Sequence, residues 1–451
     1  MIKYKDIFRN KRFLIYLLMV FSVSFFIFFR TNHFTGGDSE QWEREIYNGE
    51  YFRKRQMLSF FFMQLIYQIF SRLFFRNAFL SIQLYSILCG ILSLILVYHL
   101  FKQYKNTAIA ILIVFTSGFT AIFYGHIETY ALPITAFLFL IYSVHKYLKG
   151  EGKAWLVFAA FSFFAWTHLV AFFLFPFMIF FFIMEHKRVR FDGDNLRKIF
   201  IACLPVMLLW YLIKYRGIGT GELAGEHFVH FFNRHSNHYF AQFDISHIQL
   251  KSWFMWFNSG IQGFIAILVI LSQVKRDIFM RYLSGMFLCM LIFLWIWHPD
   301  AGMKDWDLFS FPSVIASVIV AYYFCNKTLR RSPDIILLIL IIGLNAGFLF
   351  PRLVRDADIG KRGHGYLSFE NIPENWMLVI DYRLFLKEKM NCITIGQHKL
   401  TVRIPDQKKS YDMEFIMKKG KRYTLNKAEI IEVINQPGED KLRLLFNKKY
   451  P

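Results

Sequence analysis

Runs of eighteen or more apolar residues, separated by short polar breaks, recur along the first three quarters of the chain. At about 1.5 Å per residue, a helix of about 20 residues crosses a hydrocarbon core about 30 Å thick. The predicted spans cover about 12–30, 77–101, 107–124, 127–147, a pair turning near WTHL (166–169), 198–215, 255–273, 281–297, 309–325 and 333–351. The runs are continuous rather than alternating, which excludes a β-barrel. Residues 57–75 stand apart: Ser59, Gln64, Gln68, Ser71 and Arg72 recur at helical spacing, as in an amphipathic helix lying in a membrane interface. After 351 the pattern changes. Short segments such as MLVIDYRLFL, NCITIG, KLTVRI, EFIMKKG and LRLLF predict a small, partly β domain over 352–451. The expected architecture is an all-α polytopic membrane protein of about eleven spans over 1–351, followed by that domain.

Charge orients the bundle. The net charge is +21, from 53 basic and 32 acidic residues. Much of the excess sits in short loops between spans, the positive-inside pattern, so nucleic acid is not an expected partner. Lys3, Lys5, Arg9, Lys11 and Arg12 place the N-terminus in the cytoplasm, and the first run lacks a small-residue cleavage site, so it reads as a retained helix. Lys102, Lys105, Lys149, Lys187, Arg188, Lys275, Arg276, Arg330 and Arg331 then all fall inside. Loops 31–56, 216–254 and 298–308 and the C-terminal domain fall outside. Were 57–75 a span, every later basic loop would flip outward. Of five cysteines, Cys89, Cys203, Cys289 and Cys325 lie in apolar spans and Cys392 lies beyond them, with neither a disulfide framework nor metal spacing.

The acidic residues gather on the predicted outer side. GGDSEQW (36–42) puts Asp38 and Glu40 just past the first span; carboxylates there can take a proton from a hydroxyl or hold a divalent cation such as Mg2+ or Mn2+, although Asp38 also reads as a helix cap. YGHIETYALP (124–133) brings His126 and Glu128 to the mouth of two spans, with a helix-start role for Glu128 as the plain alternative. In HPDAGMKDWDLFSFP (298–312), Asp300, Asp305 and Asp307 surround Lys304 and Trp306, more charge than capping requires. Trp306 could stack on a sugar face and Lys304 could pair with phosphate. EHFVHFFNRHSNHYF (226–240) reads best as an amphipathic lid with His and Arg234 toward phosphate; zinc is a weaker reading, and HExxH is absent. His168, alone at an outer turn, is either structural or part of the cavity.

An acidic residue just after the first transmembrane helix, an aromatic four residues on, then a basic segment and a second interfacial helix resemble the GT-C glycosyltransferases. That group includes the protein O-mannosyltransferases and the lipid A aminoarabinose transferases. Asp38 and Trp42 match its first outer loop, and EIYNGEYFRKRQMLSFFFMQLI looks like the segment after it, with RKRQ where Lys-Pro-Pro is usual. The resemblance implies an inverting transfer from a sugar on a polyprenyl phosphate to a lipid, glycan or protein hydroxyl, outside a bacterial plasma membrane. Asp38 would be the base, with Lys54 and Arg55 facing the donor phosphate. No nucleotide fingerprint is found, which suits a lipid-linked donor. Two rivals are a transporter of lipid-linked sugars, which would carry charges nearer the midplane, and a non-catalytic glycan-assembly protein.

Overall fold

The computed structural model describes residues 11–31, 42, 45–46, 48–53, 56–70, 78–184, 197, 200–201, 203–205, 207–208, 211–212, 242–273, 277–297, 306–326, 332–357, 364–373, 375–380, 383–384, 391–394, 396–404, 409–418 and 421–435. The helices are α1 (Lys11–Phe28), α2 (Met57–Phe70), α3 (Ala78–Phe101), α4 (Thr107–Phe115), α5 (Ala131–Leu148), α6 (Ala154–Thr167), α7 (Phe175–Met184), α8 (Ile245–Ser259), α9 (Gln262–Gln273), α10 (Ile278–Ile296), α11 (Phe311–Asn326) and α12 (Ser332–Ala357). Short 3-10 turns cover Gly118–Phe123, Leu169–Leu174 and Leu308–Ser310.

The protein is a polytopic helical membrane protein with a small C-terminal sheet region. Among the described residues five helices are long and apolar enough to cross a membrane, and a bent pair supplies a sixth if it crosses as one. The helix entering at Leu308 is central, with 94% of its apolar window buried; α12 is peripheral, with 22% buried. Ile335, Ile336, Ile339, Leu340, Leu344 and Phe348 on α12 are exposed and form a lipid-facing stripe. The helix Met57–Phe70 has 14 residues, about 21 Å, and is shorter than a hydrocarbon core. Its expected polar stripe is divided: Ser59 and Gln64 are buried against the protein and Gln68 is exposed, while Ser71 and Arg72 lie outside the described residues.

Two expected spans are broken. The run 107–124 is helical only to Phe115, then turns through Ser117 into the 3-10 segment. A Cβ at Gly118 would stand 2.1 Å from the Phe257 carbonyl oxygen, so the chain is pressed onto 257–258 at this point. Ser117 Oγ donates to the Asn258 carbonyl at 2.9 Å. The run 255–273 starts earlier than its apolar pattern suggests and is two helices, α8 and α9, meeting at 89°. Gly260 makes the bend with φ +54°, and a side chain there would collide with Asn345 Oδ1. Irregular backbone at membrane depth must be covered by protein. Gly118–Phe123 and Asn258–Gly260 are buried accordingly. Gln262, just past the bend, donates to Ile113 O at 2.7 Å and accepts from Ser317 Oγ at 2.5 Å, tying α9 to α4 and α11.

Beyond α12 the strands are β1 (His364–Glu370), β2 (Met377–Ile380), β3 (Arg383–Leu384), β4 (Asn391–Thr394), β5 (Gly396–Ile404), β6 (Lys409–Met417) and β7 (Arg422–Asn426). They form sheets of order β4-β1-β7, with β1 and β7 parallel, and β3-β2-β5-β6, fully antiparallel. Leu400, Val402 and Ile404 alternate inward on β5 against Met413, Phe415 and Met417 of β6, the period-2 pattern of a half-buried sheet. A last helix, α13 (Lys427–Asn435), begins in a reciprocal cap between Asn426 and Glu429, each backbone N–H meeting the other's side-chain oxygen at 2.9 Å.

Candidate functional site

Four segments remote in sequence meet at one end of the bundle. They are the stretch 42–56 after α1, the turn 124–130 ahead of α5, residues 306–307 ahead of α11, and the last turns of α12. Gly125 makes the turn after Tyr124 with φ +71°, packed against Arg30 and Gln83, a backbone state that glycine adopts without strain. Thr31 donates through its N–H (2.8 Å) and hydroxyl (3.1 Å) to the Tyr124 carbonyl, so the exit of α1 is fixed to this turn.

Glu128 is buried, and its Oε2 accepts the indole N–H of buried Trp42 at 2.5 Å. The Arg53 guanidinium lies 3.9 Å from the centre of the Trp42 ring and 3.5 Å from Glu45 Oε1. Thr129 donates to Gln56 Oε1 at 2.7 Å, a second tie between the same two segments. On the other side of the turn, His126 Nε2 meets Asp307 Oδ2 at 3.0 Å, with both side chains 4% exposed. Asp307 Oδ1 accepts the N–H of Leu308 at 2.9 Å. The His126 ring packs against Trp306 at 5.0 Å between centroids, and Arg352 Cζ lies 3.6 Å from the same indole. Isolated buried carboxylates are costly; each of these has charge-assisted donors in place.

An apolar recess of about 150 Å³ lies behind the rim, lined by Leu18, Phe25, Phe115, Tyr124, Leu349 and Leu353 among others.

Of the residues singled out from sequence, His126, Glu128, Trp306 and Asp307 come together here. His168 is buried nearby, where Nδ1 accepts from the Val170 N–H at 3.0 Å and the ring packs on Tyr130, the bonding of a local cap. Trp306 is 5% exposed, its ring against His126, Arg352 and Phe257, so stacking on a sugar would require displacing a neighbour. Glu128 sits three residues ahead of the first helical residue, Ala131, so its place is the turn rather than a helix start. Asp38, Glu40, Lys54, Arg55, Arg234, Lys304 and Asp305 lie outside the described residues, as do Asp300, His227, His230, His235 and His238. Among the described residues no group of three or more His, Cys, Asp or Glu could hold a metal ion.

Sequence reasoning missed Arg53, Gln56 and Arg352. The available signal was Arg352 and Asp356, four residues apart after Pro351: the expected boundary at 351/352 falls inside α12, which runs on to Ala357.

No protein-family model matches the chain, and no curated protein sequence does. Solved structures are similar at low identity. The apo ArnT structure from Cupriavidus metallidurans is 12% identical over 73% of this chain and 62% of its own, with a TM-score of 0.48. The same protein bound to undecaprenyl phosphate is 11% identical over 71% and 60%, TM-score 0.47. The oligosaccharyltransferase AglB from Archaeoglobus fulgidus, in complex with an inhibitory peptide and a dolichol-phosphate, is 12% identical over 77% and 56%, TM-score 0.48. The chain thus spans about 60% of the length of the solved structures it resembles. The chemistry of this site rests on its own residues.

Proposed function

We propose that this protein is an integral membrane glycosyltransferase that moves a sugar from a polyprenyl-phosphate donor to a hydroxyl of a lipid, glycan or protein at the extracytoplasmic face of a bacterial-type plasma membrane. One observation supports the reading: Trp42, four residues after Asp38 in sequence, donates its indole N–H to the buried Glu128 carboxylate. That bond puts Trp42 at the turn that also holds His126, which pairs with Asp307. Ionisable groups at the rim of a membrane bundle are expensive to keep and mark function by default.

In this reading the Asp38 carboxylate removes the acceptor hydroxyl proton. The acceptor oxygen forms the new bond at the anomeric carbon from the face opposite the phosphate. The glycosyl–phosphate C–O bond breaks, and its electron pair leaves with the carrier phosphate, so the configuration inverts. Lys54, Arg55, Arg234 and Lys304 neutralise the leaving phosphate. Glu40, Asp305 and Asp307 orient sugar hydroxyls, and the apolar recess suits an isoprenoid chain. A divalent cation would be held by Asp38, Glu40 and Asp305; no step above depends on it.

The test is transfer from a polyprenyl-phosphate sugar in vesicles carrying the purified chain. Asp38→Asn is expected to lower transfer about 1000-fold, within the range for loss of a general base. Undiminished transfer would remove Asp38 as the base. Envelope glycans compared by mass spectrometry, with and without this protein, should differ by one sugar modification; identical profiles would remove the reading itself.

A further inference from the structure

Three breaks in regular helix lie around one side chain. Arg352 is 8% exposed and stands near the end of α12. Its guanidinium carbon is 3.6 Å from the centre of Trp306, ahead of α11, and 4.1 Å from that of Phe257, at the end of α8 before the Gly260 bend. Nη1 reaches the carbonyl of Gly118, where α4 gives way to the 3-10 turn, at 3.5 Å. The two rings meet edge to face at 5.7 Å, and the guanidinium touches both. Its ionic support is loose: Nε is 3.7 Å from Asp356 Oδ2 and has no hydrogen-bond partner, while Asp356 Oδ1 accepts from Arg355 at 2.9 Å. A buried cation held more by aromatic faces than by a carboxylate is placed by shape, and a planar guanidinium meets two rings as an ammonium does not.

What Arg352 touches leads to the site. Trp306 packs on His126 and precedes Asp307, and its carbonyl is fixed by Asn258 Nδ2 at 2.7 Å. We propose that Arg352 is a positioning residue: by bracing Trp306 against the α8 end and the Gly118 turn, it sets the His126–Asp307 pair. The consequence for turnover rests on the glycosyltransferase reading; the consequence for Trp306 does not.

The full-length chain in detergent supports both measurements. The near-UV circular dichroism difference between the native chain and Trp306→Phe isolates the Trp306 signal. Arg352→Lys keeps the charge but not the planar contact, and is expected to lose at least about half of that signal with unchanged far-UV spectra. In the vesicle assay it should lower kcat about 10- to 100-fold with KM within about 3-fold, since a displacement of about 1 Å costs that much. Phe257→Leu removes one ring without touching charge and should give the same signature more weakly; it keeps the test decisive if Arg352→Lys fails to fold. A native Trp306 signal in either folded variant would overturn the proposal. So would a rise in KM at constant kcat, which marks a direct substrate contact. Absence of transfer even by the native chain would count against the functional reading alone, and the spectra would still decide the role of Arg352.

Discussion

The same helices carry a polar cluster at each end, and the two clusters are built differently. At the end opposite the candidate site, Asp277 caps α10 by accepting the Met280 N–H at 2.9 Å, and its other oxygen accepts the Tyr322 hydroxyl at 2.7 Å. Tyr104 OH meets His145 Nε2 at 2.8 Å, and the Lys149 ammonium lies 4.6 Å over the Tyr104 ring. At the site end, Asp307 also accepts the first N–H of its helix, but its other oxygen faces His126. The capping device is shared; the second partner is a phenol at one end and an imidazole at the other. One end ties helix to helix, and the other ties helix ends to the turn at Gly125 and, through Glu128 and Trp42, to the segment after α1.

The strongest way to break that contrast is to remove the loop anchor. Glu128→Gln keeps the shape and loses the charge that makes the Trp42 bond strong. Transfer should fall about 100-fold through misplacement of the Asp38 loop, with the fold intact by circular dichroism. If Glu128→Gln transfers sugar normally, the cluster at the site end is no more than a staple and the two ends are alike. Next in size is the reciprocal change at the far end. Tyr322→Phe removes one half-buried hydrogen bond to Asp277 and should cost about 1 kcal/mol in a detergent unfolding titration, with transfer within about 2-fold of native. A loss of transfer comparable to Glu128→Gln would mean that the far end also serves turnover.

The sequence announced the residues that are costly to bury and concealed those whose role depends on backbone geometry. His126, Glu128 and Asp307 stand out because a charge beside an apolar run needs a reason. The expected topology puts those loops on one side, and helices α3, α5, α10 and α11 start and stop close to where their apolar runs do. The breaks at Ser117 and Gly260 were hidden, since both runs are apolar throughout and only tertiary contact with Phe257 and Asn345 demands a glycine. Arg352 was hidden for a related reason: it falls one residue past the apolar run ending at 351, on the side of the expected boundary given to the small domain, and only the bent α8 brings Phe257 and Trp306 around it.

The smallest expected effect concerns pH and sharpens the contrast from the silent side. Tyr104 lies in the loop between α3 and α4, and burial pushes its hydroxyl up to about 12 from an ordinary value near 10. A pKa raised on folding favours the neutral phenol in the native protein. Its contribution is therefore fully present below about pH 10 and is lost as pH climbs toward about 12. Tyr104→Phe should lower stability by about 1 kcal/mol at neutral pH, through the lost bond to His145, and should flatten the decline above pH 10. Unfolding midpoints measured from pH 6 to about 11.5 report both. The pH profile of transfer between 5 and 9 should not move; a shift there would mean that protonation at the stapled end reaches the reaction, and the division of labour between the two ends would no longer hold.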